Sequence, residues 1–250
     1  MTLSTLLRPF KSSVPQVAPS INYMPVFYLG KRRSGQPACQ VEEHLDYLQK
    51  HRCPVDKVTL ILNADKSSQV VEFSKLVGKY KPYYTDLKVI VRENHGFSYG
   101  GWHSGVNSSL AAGESYDYFL IEDDYIPNSP DFLDIFYSKL DDKTSYVCLK
   151  VLDTNGQPHP AHSIGLLNGA AARKAYSVGA SPVLYEPSPW GYAAGEYNQV
   201  HFLDDLNRLG YGITDIADRY SVPFESIDKS IRELGVPGAL APIVPVGYNG

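Results

Sequence analysis

The stretch YDYFLIEDDYIP, residues 116–127, decides the fold: an apolar run over residues 118–121 stops abruptly in three consecutive carboxylates, Glu122, Asp123 and Asp124. Such a run reads as a strand buried on both faces. In open α/β sheets ligands gather at the carboxyl ends of the strands, and clustered carboxylates suit hard divalent cations and the phosphate oxygens they carry. A metal-nucleotide site is the first expectation. A plainer reading is a turn that caps the next helix, since Asn128, Ser129 and Pro130 look like a helix start. Capping needs one side chain, however, and three adjacent carboxylates repel one another unless a cation offsets them.

Outward from this strand the order of elements is regular. Strands are expected over residues 24–29, 58–62, 87–91, 118–121 and 146–151. Helices are expected over 41–52, 67–80, from the glycine-bearing segment ENHGFSYGGWHSG (93–105) to Ala112, and over 131–140. Alternating strands and helices imply an α/β fold: one Rossmann-like domain, its mostly parallel central sheet covered by helices on both faces. Residues 1–21 read as an irregular arm, 22–150 as a nucleotide-binding half, 151–235 as a second half of the same domain, and 236–250 as an extended, proline-bearing tail. In the second half, residues 153–163 read as a Pro/His loop, 170–176 as a short helix, 179–192 as a loop, and 196–209 as a helix closed by Gly210.

With 250 residues and 43% hydrophobic content, one large core is expected. A net charge of −4 and scattered basic residues give no general attraction to nucleic acid. Cys39, Cys53 and Cys148 are widely spaced and form neither a disulfide framework nor a zinc pattern, which fits a reducing, cytosolic setting. No segment approaches the ~20 apolar residues of a membrane helix, so a soluble protein, able to work beside a membrane, is expected. The 19 Tyr residues suit sugar-binding clefts and ordinary cores alike.

Several positions bear on chemistry. Asn63 and Asp65 close the second strand and either form a turn or contact a base or ribose from the same sheet edge as Asp123. Arg92, Asn94, Gly96, Ser98, Gly100 and Gly101 form a loop whose glycines allow close backbone approach, either for packing or toward a diphosphate. It is neither a Walker loop nor a GxGxxG fingerprint. His159 and His162 flank prolines and stay unassigned. Trp190, in SPWGY, is a packing anchor or a stacking face for an acceptor sugar. Asp204 and Asp205 read as a solvated face or as an i,i+3 partner for Arg208.

The N-x-G-x-S pattern from Asn94 to Ser98, a helix, and then the strand FLIEDD resemble the nucleotide-binding half of the GT-A glycosyltransferases, above all the family 2-like enzymes with a DxD-type acid motif. The resemblance covers roughly residues 22–150. Where many members carry Ala-Arg-Asn after the loop, this chain has Gly100, Gly101, Trp102 and His103. The resemblance implies transfer of a hexosyl or deoxyhexosyl group from a nucleotide sugar to a hydroxyl of a glycan or glycoconjugate. A UDP-sugar is the favoured donor, GDP- and dTDP-sugars the alternatives, with Mn²⁺ or Mg²⁺ assisting. It further implies that Asp124 ligates the metal, that Glu122 and Asp123 hold ribose or a metal-bound water, and that Asn63, Asp65, Arg92, Asn94 and Gly96 line the donor site. The ending Gly195, Glu196, Tyr197 before FLDDLNRLGYGI (202–213) resembles the family's acceptor helix, so Glu196 is the implied base of an inverting reaction; in its plainer reading it is an acid in a helix first turn. Two other classes stand beside this one. The first is a non-catalytic sugar- or nucleotide-binding module. The second is a nucleotidyltransferase of similar topology, for which KRRSG (31–35) is a faint imitation of an activating loop.

Overall fold

The computed structural model describes residues 20–28, 37–123, 125–154, 156–160, 164–187, 197–216 and 224–226. A seven-stranded sheet runs in the order β10-β6-β9-β4-β1-β2-β3. Its strands are β1 (Ile21–Tyr28), β2 (Lys57–Asn63), β3 (Leu87–Arg92), β4 (Asp117–Glu122), β6 (Thr144–Cys148), β9 (Gly165–Leu167) and β10 (Gly212–Asp215). All run parallel except β9, which lies antiparallel between β4 and β6. The expected α/β class with a mostly parallel sheet is what the structure has.

Helices cover both faces. On one face α1 (Pro37–His51), α2 (Ser67–Tyr80) and α4 (Phe132–Tyr137) bury Leu45, Phe73 and Phe136 against Phe27, Leu60, Phe119 and Ile121. On the other, α3 (Phe97–Ala111), α5 (Gly169–Ser177) and α6 (Asp204–Arg208) bury Trp102, Ala172 and Leu206 against Met24, Ile61, Tyr118 and Leu120. Consecutive β4 residues thus feed opposite cores, which is why this strand is apolar without alternation. Close approach of α3 requires glycine: a Cβ at Gly101 would lie 2.8 Å from a Val26 methyl, and one at Gly105 2.8 Å from Ile61 Cδ1.

The second half departs from expectation. The fifth strand ends at Cys148, where the chain leaves the sheet to form a hairpin of β7 (Val151–Thr154) and β8 (Gln157–Pro160) that overlaps the end of the expected strand and the expected loop over 153–163. Gly156, at φ +81°, lies in the turn between them. The helix expected over 196–209 is two pieces, a helical stretch over residues 197–201 and then α6. The break falls where the Phe202 carbonyl accepts from the Leu184 N–H at 2.8 Å instead of continuing the helix. A small two-stranded sheet of β5 (Tyr125–Pro127) and β11 (Phe224–Ser226) completes the described elements. Among the described residues no helix is long and apolar enough to cross a membrane.

Candidate functional site

The chain builds β1, β2 and β3 outward on one side, then crosses to place β4 on the other side of β1. The carboxyl ends of β1 and β4 therefore flank the point where strand order reverses, and an open α/β sheet has its ligand crevice there. Glu122 closes β4 on the α3 face, where its Oε1 accepts from Ser98 Oγ at 2.9 Å. Asp123, only 2% exposed, turns to the end of β1, and its Oδ2 accepts from the Tyr28 N–H at 3.1 Å. The two adjacent acids are thus held apart by different donors. Asp124, Trp190, Glu196 and His162 lie outside the described residues.

The ends of β2 and β3 join the same edge. Buried Asn63 donates from Nδ2 to the Phe97 carbonyl at 2.9 Å and accepts from Arg92 Nη1 at 2.7 Å. Arg92 also donates from Nη2 to the His95 carbonyl at 2.8 Å, and its guanidinium lies 5.8 Å from the Tyr185 ring centroid. Burial lowers its pKa from the usual guanidinium value, while Tyr185 works in the opposite direction. Asp65 is exposed and accepts from Tyr28 Oη at 2.7 Å, so the ends of β1 and β2 are tied. Asn94 keeps a buried Oδ1 for which no hydrogen-bond partner is found, an acceptor at the carboxyl edge of β3.

Gly96 opens α3 in the left-handed region, φ +71°, with the Tyr185 ring in the space a Cβ would need. At Gly100 a Cβ would collide with the His95 carbonyl oxygen. These glycines serve close packing of the loop, the plainer of the two sequence readings. Asn63 likewise spends both ends of its amide on the protein. The structure therefore brings Asn63, Arg92, Gly96 and Glu122 together around the first turn of α3, with Asp123 and Asp65 on the β1 side.

Among the described residues no group of three His, Cys, Asp or Glu side chains is arranged to hold a metal ion. Asp123 already directs one carboxylate oxygen to a backbone amide, and Glu122 points to the α3 face. Other acids are structural: Asp205 accepts from the Ser181 N–H at 2.9 Å and from Arg208 Nη1 at 2.8 Å, the expected i,i+3 pairing. His159 is buried in β8, with Nδ1 3.1 Å from the Gln157 carbonyl.

Three contributors escape a sequence reading. Tyr185 leaves no periodic signal because it lies in a loop, and Tyr28 acts through its backbone amide as well as its hydroxyl. His44 does leave one: with Val41, Leu45 and Leu48 it shares the i, i+3, i+4, i+7 face of α1, a core position. It is fully buried, its Nε2 is 3.1 Å from the Asp123 carbonyl, and its Nδ1 is 2.7 Å from Tyr23 Oη. Burial pushes its pKa down to about 4, so the ring is neutral near pH 7. A carbonyl only accepts, so Nε2 carries the proton and Nδ1 accepts from the Tyr23 hydroxyl.

No family model matches the chain, and no curated protein matches its sequence. Similar solved structures include a crystal structure of 4-diphosphocytidyl-2C-methyl-D-erythritol synthase, with 13% sequence identity and a TM-score of 0.47, covering 80% of this chain and 89% of that chain.

Proposed function

We propose that the carboxyl edge of the sheet binds a nucleoside diphosphate and that the protein is a nucleotide-dependent transferase, in its finer reading a glycosyltransferase acting on a hydroxyl acceptor. The observation that carries this reading is the position of the acid turn, Glu122 and Asp123, at the reversal point between β1 and β4. In this reading, as the resemblance implies, the ligand for Mn²⁺ or Mg²⁺ would be Asp124, with Asp123 and Glu122 toward ribose or a metal-bound water. A divalent cation there supplies charge stabilisation to the leaving diphosphate.

The protein's own part is positioning and proton transfer. Arg92 and the buried acceptor of Asn94 border the donor, with Asn63 and Gly96 shaping the loop between them. In the transfer step the acceptor oxygen attacks the anomeric carbon as its proton passes to the Glu196 carboxylate. A carbon–oxygen bond forms, the bond to the diphosphate oxygen breaks, and its electron pair leaves with the nucleoside diphosphate. Trp190 is the proposed stacking face for the acceptor.

A nucleotidyltransferase is the second reading, for which the Lys31, Arg32, Arg33 group that follows β1 in sequence is only a faint imitation of an activating loop. One panel separates the two. Thermal shift with UDP-, GDP- and dTDP-sugars, with and without Mn²⁺, is expected to show a metal-dependent rise for one nucleotide class, since a ligand of the native state raises apparent stability. Incubation with the stabilising nucleotide sugar should then release nucleoside diphosphate in the presence of an acceptor, and Glu196→Gln should slow this by about 10²-fold. Release of pyrophosphate from a nucleoside triphosphate and a sugar phosphate would instead establish the second reading, and stabilisation by no nucleotide would reject both.

A further inference from the structure

We propose that His44 is a positioning residue for the acid turn: its buried Nε2–H holds the Asp123 carbonyl and so fixes the peptide unit that follows Asp123. The inference deepens the reading of this edge as a nucleotide site and rests on it for its functional consequence, though not for its geometry. The relay runs from Tyr23 Oη to His44 Nδ1 at 2.7 Å, and from His44 Nε2 to the Asp123 carbonyl at 3.1 Å. Each of the three residues is at most 2% exposed. The ring is held edge-on to Phe27, centroids 5.5 Å apart at 85°, while Tyr23 stacks in parallel with Phe119 at 5.9 Å. Packing against Phe27 and the two hydrogen bonds hold the imidazole in one orientation.

The chemistry of the surroundings argues that direction, rather than cohesion, is what His44 supplies. His44 sits on the apolar face of α1 beside Val41 and Leu45 and edge-on to Phe27, where an apolar side chain would cost no desolvation of its own but would leave the Tyr23 hydroxyl and the Asp123 carbonyl without this partner. A fully satisfied buried polar network, by contrast, selects one geometry because misaligned alternatives leave its members unpaired. Here the selected geometry is that of a carbonyl within the acid turn itself. The same residue's carboxylate then receives the Tyr28 N–H at 3.1 Å, which locks the ends of β1 and β4 together.

The test compares three variants of the full chain by amide exchange and by Mn²⁺-dependent UDP binding. His44→Met removes the donor to Asp123. His44→Gln keeps a side-chain N–H at nearly the reach of Nε2. Tyr23→Phe breaks an equally buried bond of the same relay but leaves the bond to Asp123 intact, and so controls for general loosening. Exchange at the Tyr28 amide is expected to rise about tenfold or more in His44→Met, and to stay within about threefold of wild type in the other two. UDP affinity should fall in His44→Met and recover in His44→Gln. Equal acceleration in His44→Met and Tyr23→Phe, no recovery in Gln, or no acceleration at all would overturn the proposal. If the exchange pattern holds while wild-type protein binds no nucleotide, the positioning role stands and the proposed function falls.

Discussion

The two edges of the sheet differ in that a buried cation sits among the acids of one. At the amino edge, charges meet charges: Lys57, 5% exposed, reaches Glu114 at 2.7 Å and Asp86 at 3.4 Å. Burial works against its ammonium, but those carboxylates outweigh it and hold its pKa above the usual value. Ser109 adds a hydroxyl to Glu114 at 2.7 Å. At the carboxyl edge, Glu122 and Asp123 accept from a hydroxyl and a backbone amide, and a neutral imidazole holds the turn from behind. An ion pair such as Lys57 with Glu114 cancels much of its own field. A cavity of about 260 Å³ does lie at the amino edge, between the end of α1 and the Tyr83–Asp86 segment. Its acids are already engaged: Asp56 accepts from the Ile21 N–H at 2.8 Å, and Asp86 pairs with Lys57. In the proposed function the amino edge serves stability and the carboxyl edge serves binding.

The largest effect expected concerns His44 and pH. Its pKa is about 4 in the folded protein against an ordinary 6.5, so between these values the unfolded chain takes up a proton that the native ring refuses. Stability is complete above about pH 6.5 and falls as pH drops toward 4, by about 3 kcal/mol in all. Denaturant titrations across this range should show the slope in wild type and a flatter dependence in His44→Gln; parallel curves would place a charged, solvated ring at position 44. A smaller loss is expected at the other edge. Lys57→Met leaves Glu114 without its cation, and because Glu114 keeps 24% of its side chain exposed, the full cost of a broken buried pair is reduced to about 2 kcal/mol. The melting temperature should fall while nucleotide affinity stays unchanged, and a lost affinity would erase the distinction between the edges. The smallest effect is that of Ser98→Ala, which removes one hydrogen bond to Glu122 and costs about 1 kcal/mol of stability. Here the affinity for Mn²⁺ and UDP should change although the fold hardly notices; unchanged affinity would detach Glu122 from the site.

The first half of the chain was legible because its signals are local. Helix α2 occupies the 67–80 window marked by Val70, Phe73 and Val77, and β2 extends the apolar run at 58–62 by one residue at each end. β9 was not legible: three residues are too few for any periodicity, and its place follows from neighbours far away in sequence, with Leu167 between Tyr118 and Tyr146. Gly165 marks it only in retrospect, since a Cβ there would collide with the Val147 carbonyl. The hairpin of β7 and β8 was not legible, because the prolines and histidines around it read as loop. At the site, the acid cluster and Asn63 and Arg92 were visible as residues after strands. Their partners were not, because Tyr28, Tyr185 and His44 reach them only through tertiary contacts.

The most direct measurement is an amide NMR spectrum of the wild-type protein with UDP, titrated with substoichiometric Mn²⁺, whose unpaired electrons broaden nearby resonances. Signals of Asn63, Ser98, Glu122 and Tyr125 at the carboxyl edge should disappear first, while those of Lys57, Asp86 and Gly113 at the amino edge remain sharp, and Asp124→Ala should abolish the effect. Broadening centred on the amino edge, or spread evenly over the molecule, would contradict a nucleotide-metal site at the reversal point between β1 and β4.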